Sequence, residues 1–240
     1  MADFRIKLAG FPIEVDCAFD STKEYCKKYL TDEAPAFAVR VTDADRLREN
    51  TLSERRFSEQ YLELLALYRA ICERLLKEGV CLLHGSAISV DGEVYIFIAP
   101  SGTGKSTHTS FWRRALSDGH EVVMVNDDKP LLRVTEKGVF ACGTPWSGTY
   151  HLDTDVSLPV KAICLLRRDT VNHIEPLAPR QALPELYQRV YLPESREAMG
   201  QLMSMLSAVL RQVGFWSLGC DMSVEAALLA YRTVKKGDNK

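Results

Sequence analysis

The sequence predicts an α/β fold in which a small α/β region, residues 1–55, precedes a larger α/β domain, residues 56–240. Segments with strand-like alternation and segments with helical spacing follow one another along the whole chain. An Asp91–Gly92 pair joins two of the strand segments, and a glycine-rich turn leads from the second of them into a helix. The length of 240 residues suits one large domain with a small extension.

The first 55 residues contain three short structural patterns. The segment 4–15, FRIKLAGFPIEV, alternates apolar and polar residues as a pair of strands does, and 36–41, AFAVRV, is typical of another strand. Between them, STKEYCKKYL at 21–30 predicts a short helix with a serine or threonine near its N-cap. The charged segment 42–56, TDADRLRENTLSERR, is expected to be an exposed connection.

The larger domain begins with a strongly amphipathic helix. Residues 57–78 carry apolar side chains at helical spacing, and Gly79 ends this pattern. The segments 80–90, VCLLHGSAISV, and 93–99, EVYIFIA, then predict two strands. Further helices are predicted at about 105–116, 181–191, 196–213 and 224–236, and further strands at 120–126, 131–143 (as a hairpin), 158–168 and 215–220.

Composition excludes several classes of protein. The formal net charge of −2 favours neither a nucleic-acid nor a membrane partner. The N-terminus lacks the apolar core of a signal peptide, and no apolar stretch is long enough to span a bilayer. The seven cysteines are scattered, with no C-x-x-C pair and no zinc spacing, which favours reduced thiols and a cytoplasmic protein.

The segment 100–107, PSGTGKST, has the chemistry of a phosphate-binding loop. It lies between a predicted strand and a predicted helix, so glycine-flanked N–H groups and the helix N-terminus can face phosphate oxygens. Lys105 would reach the β- and γ-phosphates, and Ser106 would hold Mg²⁺. The residues predicted to bind ATP are Ser101, Gly102, Thr103, Gly104, Lys105, Ser106 and Thr107.

Ala99 departs from the usual loop pattern, G-x-x-x-x-G-K-[ST], which has glycine at this position. A methyl group costs little if the φ angle of Ala99 is negative at the end of the strand. The competing interpretation is a surface turn that matches the pattern by chance. The flanking strand and helix, and the acidic pair after the next strand, favour the nucleotide site.

Asp127 and Asp128 follow the buried strand pattern HEVVMVN. Ligands of open α/β sheets bind at the carboxyl ends of strands, so both carboxylates are expected at the phosphate loop. Phosphoryl transfer needs one carboxylate for Mg²⁺, and a second can accept the proton of the attacking hydroxyl. An ordinary aspartate-rich turn is the alternative.

Three further features are candidates for the same site. His84, in LLHGSA, would lie beside the loop if strands 80–90 and 93–99 form a hairpin, although a buried structural histidine is the commoner case. Arg167 and Arg168 end a predicted strand, and one of them could neutralise charge in the transition state; Arg167 is the catalytic candidate. The loop 143–152, GTPWSGTYHL, suits acceptor binding, with a structural turn as the alternative.

The combination of LLHGSA, a hairpin turn, APSGTGKST and VNDD resembles the HPr kinase/phosphorylase family. It also resembles the nucleotide-binding half of ATP-dependent phosphoenolpyruvate carboxykinases. The resemblance covers roughly residues 80–170. It implies a mixed central sheet, in agreement with the predicted hairpins. The loop 143–152 stands where HPr kinases carry an arginine- and glycine-rich signature, so HPr itself is not implied as the acceptor.

The resemblance implies roles for the matched residues. Lys105 and Ser106 would serve ATP and Mg²⁺, Asp127 would be the catalytic base and Asp128 a metal ligand. His84 would lie near the metal or the transferred phosphate. The expected activity is transfer of the γ-phosphate to a hydroxyl of a protein or peptide serine, or of a small molecule. A carboxykinase-like enzyme, a non-catalytic nucleotide sensor and a homo-oligomeric assembly stay open.

Overall fold

The computed structural model describes residues 2–52 and 55–237. The chain divides into two compact units, Met1–Val80 and Cys81–Lys240. The domain boundary expected between residues 55 and 56 therefore lies inside the first unit, ahead of its longest helix. That helix packs against other elements of the first unit, as described below, which accounts for its place there.

The first unit is an α/β unit with the strand order β1-β2-β3. Its strands are β1 (Ala2–Leu8), β2 (Phe11–Cys17) and β3 (Phe37–Arg40); its helices are α1 (Asp20–Tyr25), α2 (Asp43–Leu52) and α3 (Glu59–Leu76), with a 3-10 turn at Lys27–Tyr29. Strands β1 and β2 pair in antiparallel fashion around Ala9 and Gly10, whose φ angles are +50° and +86°. The predicted strand pair and long amphipathic helix are thus confirmed. The short helix is also present, but it ends at Tyr25, and its N-cap is Phe19, which makes no side-chain capping hydrogen bond.

Glu63 of α3 connects this helix to the start of α1 through hydrogen bonds. Its side chain is fully buried and accepts hydrogen bonds from the amides of Ala18 (2.7 Å) and Phe19 (3.1 Å) and from the Thr22 hydroxyl (2.6 Å). The guanidinium of Arg46 lies 3.6 Å from the same carboxylate. A buried carboxylate with this many donors is well satisfied, so α3 belongs structurally with α1 and α2.

The predicted exposed connection at 42–56 is wrong over most of its length, because α2 occupies Asp43–Leu52. Thr42 and Asp45 exchange hydrogen bonds at its start: Asp45 accepts from the Thr42 amide (2.8 Å) and hydroxyl (2.6 Å), and Thr42 Oγ1 accepts from the Asp45 amide (3.3 Å). The buried carboxylate of Glu49 pairs with Arg69 of α3. Capping and an ion pair, rather than an apolar stripe, stabilise this helix, so its hydrophobic pattern does not reveal it.

The second unit is built on a mixed sheet with the order β4-β8-β9-β10-β6-β5-β7, in which β12 also pairs with β10 and β11 with β12. The strands are β4 (Val80–Leu82), β5 (Ser86–Val90), β6 (Glu93–Ile98), β7 (Val122–Asn126), β8 (Leu131–Thr135), β9 (Gly138–Cys142), β10 (Ser157–Arg168), β11 (His173–Pro176) and β12 (Gly214–Cys220). The helices are α4 (Lys105–Leu116), α5 (Pro179–Tyr187), α6 (Arg196–Gln212) and α7 (Val224–Lys236). Strand β6 runs parallel to β10 and antiparallel to β5. The α/β class and the mixed sheet are confirmed.

The Asp91–Gly92 hairpin is confirmed, with both residues at positive φ and Val90 paired with Glu93. The single strand predicted at 80–90 is corrected to two strands, β4 and β5, separated at residues 83–85. The two strands have different partners, since β4 pairs with β8 and β5 pairs with β6 and β7. Between them, the amides of Leu83 and His84 donate to the carbonyls of Pro130 and Arg189. The short strand β11 has no counterpart among the predictions.

Helices α4 and α7 cover one face of the sheet around an aromatic cluster. Trp112 of α4 is fully buried against Tyr95 and Phe97 of β6 and Tyr231 of α7, with ring centroids 4.9–5.6 Å apart. This packing fixes the position at which α4 begins, and with it the loop that precedes the helix. Among the described residues, the helices are too short or too polar to cross a bilayer.

Candidate active site

Two glycines in the segment between β6 and α4 have backbone conformations that favour glycine. Gly102 and Gly104 have φ angles of +75° and +119°, which residues with a side chain rarely adopt. Ala99 is buried and does not have a positive φ, so the methyl group fits and the expectation for this position is confirmed. The helix then begins at Lys105, which directs the N-terminus of α4 at the loop.

Lys105 is almost completely buried, with 8% of its surface exposed. Its Nζ donates a hydrogen bond to the Ala99 carbonyl at 3.2 Å. Burial lowers the pKa of the Lys105 ammonium, and the nearby Asp128 carboxylate partly offsets this effect. A lysine so poorly hydrated favours an anion as a partner.

Asp127 follows directly after β7 and is 5% exposed. Its Oδ1 accepts a hydrogen bond from the Ser86 hydroxyl at 2.7 Å, and Ser86 also contacts the Thr109 hydroxyl of α4 at 2.9 Å. Burial raises the pKa of the Asp127 carboxyl, although hydrogen bonds from Ser86 and Ser106 act in the opposite direction. Asp127 is therefore hydrogen-bonded to Ser106, the loop residue that is predicted to bind Mg²⁺.

Asp128 is more exposed and pairs with His84, whose Nε2 lies 3.3 Å from Asp128 Oδ1. Burial alone would raise the pKa of Asp128. The hydrogen bond from His84 and the electrostatic effects of Lys129, His84 and Lys105 outweigh burial and hold the pKa of Asp128 below its ordinary value. The Gly85 amide also donates to the Asp128 carbonyl at 2.9 Å, which ties the two segments together.

Asn126 shapes the turn that carries the two aspartates. Its Oδ1 accepts hydrogen bonds from the amides of Asp128 (2.9 Å) and Lys129 (2.6 Å), and its Nδ2 donates to Thr144. Asn126 is fully buried, so these bonds replace contacts with water. Sequence reasoning missed Asn126 and Ser86, although both lie in segments that it singled out, VNDD and HGSA.

The loop 143–152 lies beside the acidic pair. A Cβ added at Gly148, which has a φ of +72°, would lie 3.3 Å from the Cβ of Asp128. Tyr150 is 72% exposed, and Ser147 donates to Asp153 at 2.7 Å. Tyr150 lines the same cleft as Asp128, and binding of an acceptor by this loop stays a prediction.

The loop before α4, the acidic pair and His84 meet at one cleft of roughly 390 Å³. Most predicted site residues meet there: His84, Ser101, Gly102, Gly104, Lys105, Ser106, Thr107, Asp127 and Asp128, together with Gly148, Thr149 and Tyr150. Two predicted residues do not line it. Thr103 belongs to the same loop, but its carbonyl faces Arg168 (3.1 Å). Arg167 is exposed and lies 3.7 Å from Glu185 of α5, a placement that does not bring it to the phosphate loop.

The donor atoms of the cleft suit Mg²⁺. Among the described residues, no group of three or more histidine, cysteine and acidic side chains converges as a metal cage. The cleft offers the Ser106 hydroxyl and the carboxylates of Asp127 and Asp128 instead. Magnesium commonly takes a few protein oxygens and completes its shell with water and phosphate oxygens, so this set fits the ion.

No protein-family model matches this chain, and no curated protein sequence matches it. Among solved structures, the chain is similar to the Hpr(Ser) kinase/phosphatase from Coxiella burnetii, with 12% sequence identity and a TM-score of 0.38. The match covers 65% of this chain and 90% of that protein. A likeness of this extent establishes neither a family nor a function for this chain.

Proposed function

We propose that this protein is an ATP- and Mg²⁺-dependent phosphotransferase of the HPr kinase type that phosphorylates a hydroxyl group. One observation carries the proposal: Lys105 and Ser106 of the glycine loop line the same cleft as the Asp127–Asp128 pair and His84. A phosphate cradle alone would suit any nucleotide-binding protein. The carboxylates beside it supply what transfer to a hydroxyl additionally requires, a metal ligand and a proton acceptor.

The phosphates of ATP are held by the loop in this proposal. The amides at the start of α4 and the Lys105 ammonium would bind phosphate oxygens, and Ser106 and Asp127 would hold Mg²⁺. When bound, Mg²⁺ supplies positive charge that neutralises the phosphate oxygens. Lys105 leaves its hydrogen bond to Ala99 and pairs with phosphate, because a charged acceptor is stronger than a carbonyl.

Asp128 accepts the proton of the acceptor hydroxyl. As that proton moves to the Asp128 carboxylate, the acceptor oxygen forms a bond to the γ-phosphorus, and the bond from this phosphorus to the β,γ-bridging oxygen breaks to release ADP. His84 orients the carboxylate through its contact at 3.3 Å. The lowered pKa keeps Asp128 ionised at neutral pH, and its role as base rests on its place in the cleft rather than on raised basicity.

This division of roles is the reverse of the sequence-based expectation, which gave Asp127 the role of base and Asp128 that of metal ligand. Asp127 is buried and hydrogen-bonded to hydroxyls, including that of Ser106, as a metal ligand beside a phosphate loop would be. Asp128 faces His84 and the loop with Tyr150. The contacts favour the new assignment.

Transfer of label tests the proposal. Purified protein, Mg²⁺ and γ-labelled ATP are incubated with an extract of the source organism, which is then separated into macromolecules and small metabolites. We expect label in one hydroxyl-bearing acceptor, and no label with Asp128→Asn. Tight ATP binding without transfer under any condition would instead support a nucleotide sensor. Formation of ATP only from phosphoenolpyruvate, carbon dioxide and ADP would support a carboxykinase.

A further inference from the structure

Arg168 holds the phosphate loop from outside the cleft. It is the last residue of β10, which runs parallel to β6 with Leu165 opposite Ile98, so Arg168 projects just beyond the end of β6. Its Nη2 donates to the Gly102 carbonyl at 2.6 Å, and its Nε donates to the Thr103 carbonyl at 3.1 Å. One planar guanidinium thus binds two successive carbonyls of the loop.

These bonds set the direction of a loop amide. In a trans peptide the C=O and N–H groups point in opposite directions, so the N–H of Gly104 points away from the Thr103 carbonyl and from Arg168. Gly104 lines the cleft. A carbonyl that turned inward would instead place a negative dipole against the phosphate oxygens. Arg168 therefore stabilises the peptide orientation that an anion requires.

The next residue of the loop, Gly104, is packed against Met222. Gly104 has a φ of +119°, and a Cβ added there would lie 2.8 Å from the terminal methyl of Met222. The neighbouring Arg167 turns the other way, toward Glu185. Arg168 itself is exposed and contributes nothing to the core, so its contacts with the loop carbonyls are its principal structural effect.

We propose that Arg168 is a positioning residue for the nucleotide: it keeps the loop in its phosphate-binding conformation without touching the reacting atoms. The inference rests on the nucleotide-binding part of the proposed function. Losing two charge-assisted hydrogen bonds at an exposed site should weaken nucleotide binding about tenfold. Once ATP is bound, its phosphates order the loop themselves, so turnover at saturating ATP should change much less.

Arg168→Gln and Arg168→Lys test the proposal, with Arg232→Gln, an exposed arginine of α7, as the matched control. Calorimetric titration with Mg·ADP should give about tenfold weaker binding for Arg168→Gln. The affinity of Arg168→Lys for Mg·ADP should lie between those of Arg168→Gln and wild type, because an ammonium can still bind one carbonyl. Thermal midpoints should stay unchanged, and the KM for ATP should rise while kcat is nearly retained. Dilute guanidinium added to Arg168→Ala should restore part of the affinity.

Wild-type affinity in Arg168→Gln, or a loss of affinity that merely follows a loss of folded protein, overturns the inference. The same holds if kcat falls as much as KM rises, since Arg168 would then act on the reaction itself. If wild-type protein binds no nucleotide, this inference and the proposed function both fail. If nucleotide binding responds to Arg168 as expected but no phosphate is ever transferred, only the proposed function fails.

Discussion

At the scale of single residues, the site depends on how differently two adjacent carboxylates are surrounded. Asp127 is enclosed by hydroxyl donors and its pKa is raised by burial. The side chain of Asp128 points at His84, and its pKa is lowered despite partial burial. The turn after β7, which Asn126 stabilises, separates the two carboxylates, so consecutive aspartates contact different partners and can take different roles.

The two aspartates should therefore give different mutant kinetics. Asp128→Asn should bind Mg·ATP normally and lose transfer by roughly a hundredfold or more, because an amide cannot accept the hydroxyl proton. Asp127→Asn should raise the Mg²⁺ concentration needed for nucleotide binding by about tenfold. Titrations of Mg²⁺ at fixed ATP, combined with single-turnover transfer, separate the two effects. The opposite pattern would restore the sequence-based assignment, and no effect from either change would make the pair an ordinary turn.

At the scale of elements, buried polar side chains decide how the helices attach. Glu63 connects α3 to the start of α1, and His108 of α4 accepts a hydrogen bond from the Trp112 indole at 3.0 Å. Neither residue lines the candidate cleft. Each side chain stabilises the packing of elements within its own unit. Both roles can therefore be tested by stability measurements.

Glu63→Gln should destabilise the first unit by about 2–4 kcal/mol, since the amide group brings donors to a site that offers donors. Urea unfolding measures the loss, and hydrogen exchange at the amides of Ala18 and Phe19 should accelerate. Glu59→Gln is the control on the same helix, where Glu59 is 65% exposed and pairs with Arg46. That control should cost no more than about 1 kcal/mol. Equal losses in the two variants would show that Glu63 does not anchor α1.

His108 should make the stability of the second unit depend on pH. Burial lowers its pKa to about 4, whereas an unfolded histidine titrates near 6.5. Between these two pKa values, His108 is protonated in the unfolded state and neutral in the folded state. Its contribution to the free energy of unfolding is therefore fully present above about pH 6.5 and is lost as the pH falls toward 4. The loss at pH 4 amounts to about 3 kcal/mol.

Thermal unfolding of wild type and His108→Gln across this range checks the expectation. Glutamine keeps an acceptor for the Trp112 indole and cannot become charged, so its stability should fall less steeply between pH 6.5 and 4. Acidic groups common to both proteins contribute equally and cancel in the comparison. Parallel pH profiles of thermal stability for the two proteins would contradict the prediction, because protonation of His108 would then not destabilise the folded state.

At the scale of the whole molecule, local patterns predict much of the fold. The helix from Lys105 to Leu116, the Asp91–Gly92 hairpin and the strand that ends at Arg168 all follow from residues close in sequence. The helix at Asp43–Leu52 does not, because Glu49 is stabilised by Arg69, twenty residues away in the chain. The extent of the first unit depends likewise on long-range contacts such as those of Glu63.

The candidate site shows the same limit. Motif chemistry identified the residues of the loop, the acidic pair and His84, which the fold brings into one cleft. It gave the catalytic role to Arg167, whereas the structure brings Arg168 to the loop and Arg167 to Glu185, because the direction of each side chain at the end of β10 is not readable from the motif. The pairing of Asp128 with His84 depends on the break between β4 and β5, which a continuous apolar pattern conceals.

The central claim is that the glycine loop binds Mg-nucleotide through Lys105, and calorimetric titration with Mg·ADP and a non-hydrolysable ATP analogue tests it most directly. Wild-type protein should bind one equivalent of each. Lys105→Ala should lose at least about tenfold in affinity, more for the ATP analogue, because the ammonium neutralises β- and γ-phosphate charge. Absence of binding in the wild type, or equal affinity in wild type and Lys105→Ala, would contradict the account.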